Sequence, residues 1–441
     1  MTLESYLALN AQRYPDKVAV ICGEERCTYA ELHRRVEERA AAIDVASGRV
    51  VCLRAYPTLD YLVEYFALHR RGCVVAPLER DMPEAVFDSI GQQLGAYAVP
   101  EGTADVLYTT GTTGKSKGVM ISHRTIVADA ENLIAGQGFS HDLAFVVNGP
   151  LNHIGSLSKI YPVIVLGATL IIVDGLKDVN AFFDAFETHR RVEGIPARYA
   201  TFLVPASIRI LVQLSADRLA AIAENIDFIE TGAAAISQAD MQTLCRLLPH
   251  TRLYNTYAST ETGIISTYNW NDGRCQAGCL GRPMPHSRIV ITEQGLIACQ
   301  GDTLMTGYIG DPERTATVLR DGTLYTSDLG RLDDEGMLHL SGREDDVINV
   351  GGYKVAPTEV EDAAMAFAGI ADCICIPVAH PITGTALKLL VQLAEGHTLD
   401  KRALALHLRG RLVAYKVPLL YEAVPNIQRT FNGKLNRKAY Q

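Results

Sequence analysis

The stretch YTTGTTGKSKG, Tyr108 to Gly118, sets small and hydroxyl-bearing residues beside two lysines with no acid among them. Glycine lets backbone N–H groups approach a ligand, threonine adds donors and lysine adds charge, so the chemistry on offer is that of an anion cradle. The GxxxxGK[ST] phosphate loop is a poor match. Only Thr112 and Thr113 separate Gly111 from Gly114-Lys115-Ser116, too few for that motif. A plain surface turn between a strand and a helix is the alternative reading of the same residues.

Further stretches call for a common explanation with this one: YNTYASTET (Tyr254–Thr262), YTSDLGRL (Tyr325–Leu332), SGREDDVINVGGYKVAPTEVE (Ser341–Glu361) and NGKLNRKA (Asn432–Ala439). Their order and spacing, with NAQRYPDKVAV and TYAEL near the start, resemble the adenylate-forming superfamily. That family includes acyl- and aryl-CoA synthetases, luciferases and peptide-synthetase adenylation domains, and the resemblance covers nearly the whole chain. It implies activation of a carboxylic acid by ATP. The carboxylate attacks the α-phosphorus, pyrophosphate leaves, and the acyl-AMP then passes its acyl group to a thiol. Both reactants are anionic, so cationic groups and aimed N–H donors must offset their repulsion.

The resemblance assigns roles residue by residue. Thr109, Thr112, Thr113 and Gly114 contact the β- and γ-phosphates, and Lys117 takes the family's lysine position, whereas Lys115 is left to solvent. Thr260 contacts phosphate and Glu261 helps to hold Mg²⁺, a hard cation that suits carboxylate and phosphate oxygens. Tyr257 packs beside the adenine. Asp328 accepts from both ribose hydroxyls, and Arg343 adds a fixed cationic fork to ribose or α-phosphate. Lys434 is the adenylation lysine, delivered by a mobile tail to bridge carboxylate and α-phosphate. Arg437 and Lys438 are expected to stay in solvent. Asp345 matches the hinge about which the C-terminal domain rotates, and Gly351-Gly352 lines the tunnel for a pantetheine arm.

For the acid, His153 matches the histidine frequent in acyl- and aryl-CoA synthetases. Ile154 stands where domains for α-amino acids usually place an aspartate, and an apolar neighbour leaves a buried ammonium unpaired. Tyr199, Gly232 and Ala233 add to the acyl-pocket wall, as does Ala258, which replaces the family's usual glycine. A medium apolar or aromatic acid follows. The implied cofactors are ATP, Mg²⁺ and coenzyme A, or the phosphopantetheine of a carrier protein acting in trans. The leading expectation is an AMP-forming acyl- or aryl-CoA ligase. A stand-alone adenylation enzyme that loads a carrier or forms an amide is the alternative, and a non-catalytic nucleotide-binding protein is the rival of another class.

The elements that must hold these residues follow from the rest of the chain. A length of 441 residues implies more than one domain. A net charge of -9 argues against a nucleic-acid partner. No secretory signal is visible, and the apolar run Tyr161–Val173 is too short to span a bilayer, so a cytoplasmic protein with no membrane partner is expected. The ten cysteines fall singly on apolar patterns and read as reduced core thiols. Cys275 and Cys279 lack a second close pair for zinc. Helical patterns alternate with short β-branched runs: a helix at Tyr61–Gly72, a strand in CVVAPL ended by Pro77, a strand in DVLYTT, a helix in RTIVADAENLIAG, a strand in AFVVNGP and a helical LNHIGSLSKIYPVIVLG. Such alternation predicts an α/β fold. The expected architecture is a large N-terminal domain (1–343) of mainly parallel sheets flanked by helices, and a small mobile α+β C-terminal domain (344–441). Between VVAPL and the Tyr108 loop the chain is shorter than is usual in the family.

Overall fold

Every residue of Leu143–Val147 is buried, and the run is apolar without alternation, as a strand covered on both faces must be. Phe145 and Val147 enter one hydrophobic core, Ala144 and Val146 the other. The structure, a computed structural model, describes residues 1–110, 116–187, 198–381, 384–429 and 435–440. Thr112, Thr113, Gly114 and Lys434, and the stretch 194–197 before Tyr199, therefore lie outside the described residues.

Leu143–Val147 sits inside a parallel array. Val18–Cys22, Thr169–Ile172, Leu143–Val147, Arg198–Phe202, Ile226–Thr231 and Arg252–Ser259 are neighbours in that order, all parallel. Beyond Arg252–Ser259 the same sheet continues antiparallel through Gly263–Asn269, Cys279–Pro283, Leu338–Arg343, Thr323–Leu332, Leu296–Gly301 and Ser287–Ile291. The sheet is thus less uniformly parallel than the alternation of patterns suggests. Hairpin turns such as the one at 333–337 are too short for the crossover that parallel pairing needs.

A second sheet places Val50–Arg54, Val74–Leu78 and Thr103–Thr110 side by side. Pro77 does not end its strand, which runs to Leu78. Its pairing with Thr103–Thr110 is confined to Val75↔Asp105, so proline removes no donor from that ladder. The helix Leu59–Arg70 starts where the Thr58 side chain accepts from the Tyr61 N–H. The expected strand–turn–helix at the Tyr108 loop needs correcting. A strand, Ser116–Ser122, follows the loop and pairs antiparallel with Thr103–Thr110, in the register Thr109↔Lys117. Only then does helix His123–Gln137 begin, capped by Ser122 and closed by Gly138 in the left-handed region.

A separate core forms from Ile348 onward. Strands Ile370–His380 and Gly384–Leu393 pair antiparallel, Leu420–Ala423 adds in parallel, and helices Pro357–Met365 and Lys401–Arg409 contribute to the same core. Cys275 faces Cys245, Sγ to Sγ 3.9 Å, and both pack against the core in which Cys279 is buried. Among the described residues no helix is long and apolar enough to cross a membrane.

Candidate active site

The parallel strands end on one rim, where ligands of such sheets collect. Strand Arg252–Ser259 turns there into Gly263–Asn269, and the turn carries Thr260 and Glu261, both half-buried. The Ser259 and Thr262 side chains each accept a backbone N–H of the other residue and hold the turn tight. Gly263 takes φ +66°, and a Cβ there would come within 2.4 Å of the Thr303 carbonyl and 2.6 Å of Asp129. Only glycine lets the turn pack so close.

The Tyr308 hydroxyl donates to Glu261 Oε1 at 3.0 Å. Tyr308 pairs with Val119, on the strand that carries Lys117, and the Lys117 ammonium stands 5.3 Å from the Tyr308 ring centre. Arg314 approaches the same ring at 5.6 Å. Burial, and then the Arg314 charge, lower the Lys117 pKa, and Glu261 opposes them in part. Thr109, directly across the ladder from Lys117, belongs to the same group.

A second group lies on the antiparallel strands. Asp328 and Arg343 are cross-strand partners. Arg343 Nε lies 3.3 Å from Asp328 Oδ1, and the Tyr257 hydroxyl donates to Asp328 Oδ2 at 2.8 Å. Arg343 also donates to the Ser327 hydroxyl, and the Thr326 hydroxyl accepts the Asp328 N–H. The carboxylate is therefore held at both oxygens, each of which retains acceptor capacity. Tyr257 is buried, with its hydroxyl committed to Asp328.

The expected acyl wall divides. Ile154, Phe202 and Ala258 pack against one core, and a Cβ built on Gly232 would stand 3.6 Å from Phe202. Tyr199 must be removed from this wall. It lies fully buried on the other face of its strand, edge-on to Phe186 in the opposite core. Side chains alternate along a strand, so Phe202, and not Tyr199, packs against the core that Ile154 and Ala258 also cover; sequence reasoning missed it. LNHIGSLSKIYPVIVLG forms two short helices, Ile154–Leu157 and Ile160–Leu166, with half-buried His153 just before the first. Between them Lys159 is buried, its ammonium 2.7 Å from the equally buried Glu230 and 5.3 Å from the Phe202 ring. Among the described residues Glu230 Oε2 has no hydrogen-bond partner. Ala233 is exposed at φ +65°, a left-handed conformation that L-residues adopt at a cost.

Asp345 lies exposed in the short turn Glu344–Asp346 that leads to the C-terminal core. Gly351 and Gly352 form the exposed tip of the Ile348–Val355 hairpin, at φ +58° and +93°. That tip is not packed against the groups above, and a Cβ on Gly352 would meet nothing within 4 Å. Arg437 is not in solvent as expected. It makes two hydrogen bonds to the buried Glu361, at 2.7 and 2.8 Å, and lies 3.4 Å from Asp346. A groove of about 550 Å³ lined by Gly136, Asn269, Arg274, Arg282 and Glu335 contains none of these residues.

Residues 7–99 and 90–309 match the AMP-binding enzyme family, and residues 359–434 match the AMP-binding enzyme C-terminal domain. A feruloyl-CoA synthase of Amycolatopsis is 29% identical over 487 residues, spanning 98% of this chain and 97% of its own. ATP-bound MatB from Rhodopseudomonas palustris shares the fold, with a TM-score of 0.86 at 23% identity over 100% of this chain and 99% of that one. The amide bond synthetase McbA from Marinactinospora thermotolerans gives 0.86 at 22% identity over 99% of each chain.

Proposed function

The chain belongs to the AMP-binding enzyme family, the adenylate-forming enzymes, and we propose that it is an ATP-dependent acid–thiol ligase with coenzyme A as its acceptor. The observation that carries this reading is the pair of polar groups on one fold: Lys117, Tyr308 and Glu261 together, and Tyr257, Asp328 and Arg343 together. The second group offers a fixed two-oxygen acceptor for a ribose diol beside a guanidinium. The first offers an ammonium for phosphate beside a carboxylate for a dication.

An oxygen of the substrate carboxylate attacks the α-phosphorus of ATP, and the bond to the pyrophosphate oxygen breaks. Lys117, and Lys434 from the C-terminal domain, offset the charge that accumulates. Thr109, Thr112, Thr113, Gly114 and Thr260 contact the phosphates. Glu261 supplies a hard carboxylate oxygen suited to Mg²⁺, which when bound would neutralise phosphate charge. The domain boundary falls at Arg343–Asp346, and rotation about Asp345 then brings Gly351-Gly352 to the site for thiol transfer. We assign the protein to the cytoplasm.

For the acid, Ile154, Phe202 and Ala258 favour an apolar or aromatic body. The Lys159–Glu230 pair is neutral overall, so it provides no surplus negative charge for the ammonium of an α-amino acid. Glu230 Oε2, without a hydrogen-bond partner among the described residues, suits a neutral donor such as a substrate hydroxyl.

Acid-dependent exchange of labelled pyrophosphate into ATP tests the first half-reaction. Transfer from supplied acyl-AMP to coenzyme A, to a phosphopantetheinylated carrier or to an amine tests the second. Lys434→Ala is expected to lower exchange at least about 100-fold and to spare transfer. Equal loss of both half-reactions would remove Lys434 from its assigned role.

A further inference from the structure

Helices Pro205–Ala221 and Gln238–Leu247 follow the strands that end at Phe202 and Thr231, so their first turns stand on the rim of the acyl wall. Arg209 of the first lies 3.7 Å, Nε to Oδ2, from Asp240 of the second. In the C-terminal module, Asp372 on strand Ile370–His380 accepts two hydrogen bonds from Arg429, at 2.7 and 2.9 Å. The two pairs meet, with Arg209 Nη1 3.6 Å from Asp372 Oδ1. All four side chains are largely buried there. Arg429 also forms a β-bridge with Leu435, the residue that follows Lys434 in the chain.

We infer that Arg209 and Asp372 are positioning residues, forming a latch that docks the root of the Lys434 segment on the rim during adenylation. This rests on the proposed role of Lys434. The charge balance suits a contact made and broken in each turnover. Each module brings one cation and one anion, so separation strands no uncompensated charge, the circumstance that makes breaking a buried pair so unfavourable. The crossing contact is long and therefore weak, yet it has a defined place because the two-pronged Arg429 bond fixes the Asp372 carboxylate. Among the described residues it is the ion pair that joins the rim helices to the C-terminal module.

The test uses the full-length enzyme and both half-reactions. Arg209→Ala should lower kcat for pyrophosphate exchange about five- to tenfold, with KM for ATP and acid unchanged and thiol transfer from supplied acyl-AMP undiminished. Arg209→Lys should recover most of the loss. Raising ionic strength should slow exchange by the wild type more than by Arg209→Ala. Equal loss in both half-reactions, or a change confined to KM, would overturn the latch and leave Arg209 a structural or acid-binding residue. Wild-type exchange with Arg209→Ala would overturn it too. Lys434→Ala run in parallel separates the failures. If that variant exchanges normally, the reading beneath the latch is wrong; if it is inactive and Arg209→Ala is not, the latch alone is wrong.

Discussion

Glu4, His69 and Asp105 lie within one module, whereas Arg209, Asp240, Asp372 and Arg429 straddle two. In the first cluster His69 Nδ1 is 3.1 Å from Glu4 and Nε2 is 3.0 Å from Asp105. The Tyr65 hydroxyl donates to the other Asp105 oxygen at 2.8 Å. Burial works to depress the His69 pKa, but the two carboxylates outweigh it and hold the ring charged, with its pKa up at about 10. Burial likewise works to raise the Glu4 pKa, and His69 outweighs it, taking the carboxyl down to about 2. Two carboxylates share one imidazolium, so removing His69 leaves both uncompensated. Removing Arg209 from the second cluster leaves the Asp372–Arg429 pair intact and deprives one carboxylate, Asp240, of a long contact. The difference separates a contact that cannot open without stranding buried charge from the proposed latch, which can. The permanent cluster ties helix Leu3–Arg13 to Leu59–Arg70 and to the strand that feeds the Tyr108 loop.

The largest effect on stability is expected at the permanent cluster. His69→Leu should destabilise the fold by about 3–5 kcal/mol, read as a lowered denaturant midpoint at constant slope. A loss under about 1 kcal/mol would erase the distinction between the clusters.

The pH dependence sharpens it next. A raised histidine pKa means stability fully present below the ordinary 6.5 and lost as pH rises toward 10. A lowered glutamate pKa means stability present above the ordinary 4.5 and lost as pH falls toward 2. The cluster should therefore contribute most between about 4.5 and 6.5, and His69→Leu should flatten the stability profile on both sides of that window. An unchanged profile would show that His69 is not charged in the fold.

The smallest effect is expected at the interface. Arg209→Ala should shift unfolding by about 1–2 kcal/mol, less than His69→Leu because its contacts to Asp240 and Asp372 are long, although it slows adenylation. A larger shift would make Arg209 a structural residue and merge the two clusters into one kind.

Much of this was legible from local pattern. Leu59–Arg70, His123–Gln137 and Leu143–Val147 fall close to where apolar periodicity and turn residues place them. The strand Ser116–Ser122 escaped because its start lies within a Gly, Ser and Lys run that reads as a loop. Only pairing with Thr103–Thr110 makes it a strand. Tyr308 and Arg314 carry no charge pattern that points to Glu261 or Lys117; a two-residue strand and a short helix capped by Asp311 bring them there. Arg437 reads as a solvated lysine-and-arginine tail because Glu361, its partner, is distant in sequence.

The chain by itself determined the α/β class and the adenylate-forming family, because these depend on periodicity, residue type and the order of short motifs. The tertiary structure alone decided that Phe202 and not Tyr199 packs on the core that Ile154 covers, that Lys159 meets Glu230, and that Arg209 meets Asp372. Which face of a strand looks inward, and which distant charges become neighbours, depend on register and packing between segments that local sequence does not connect.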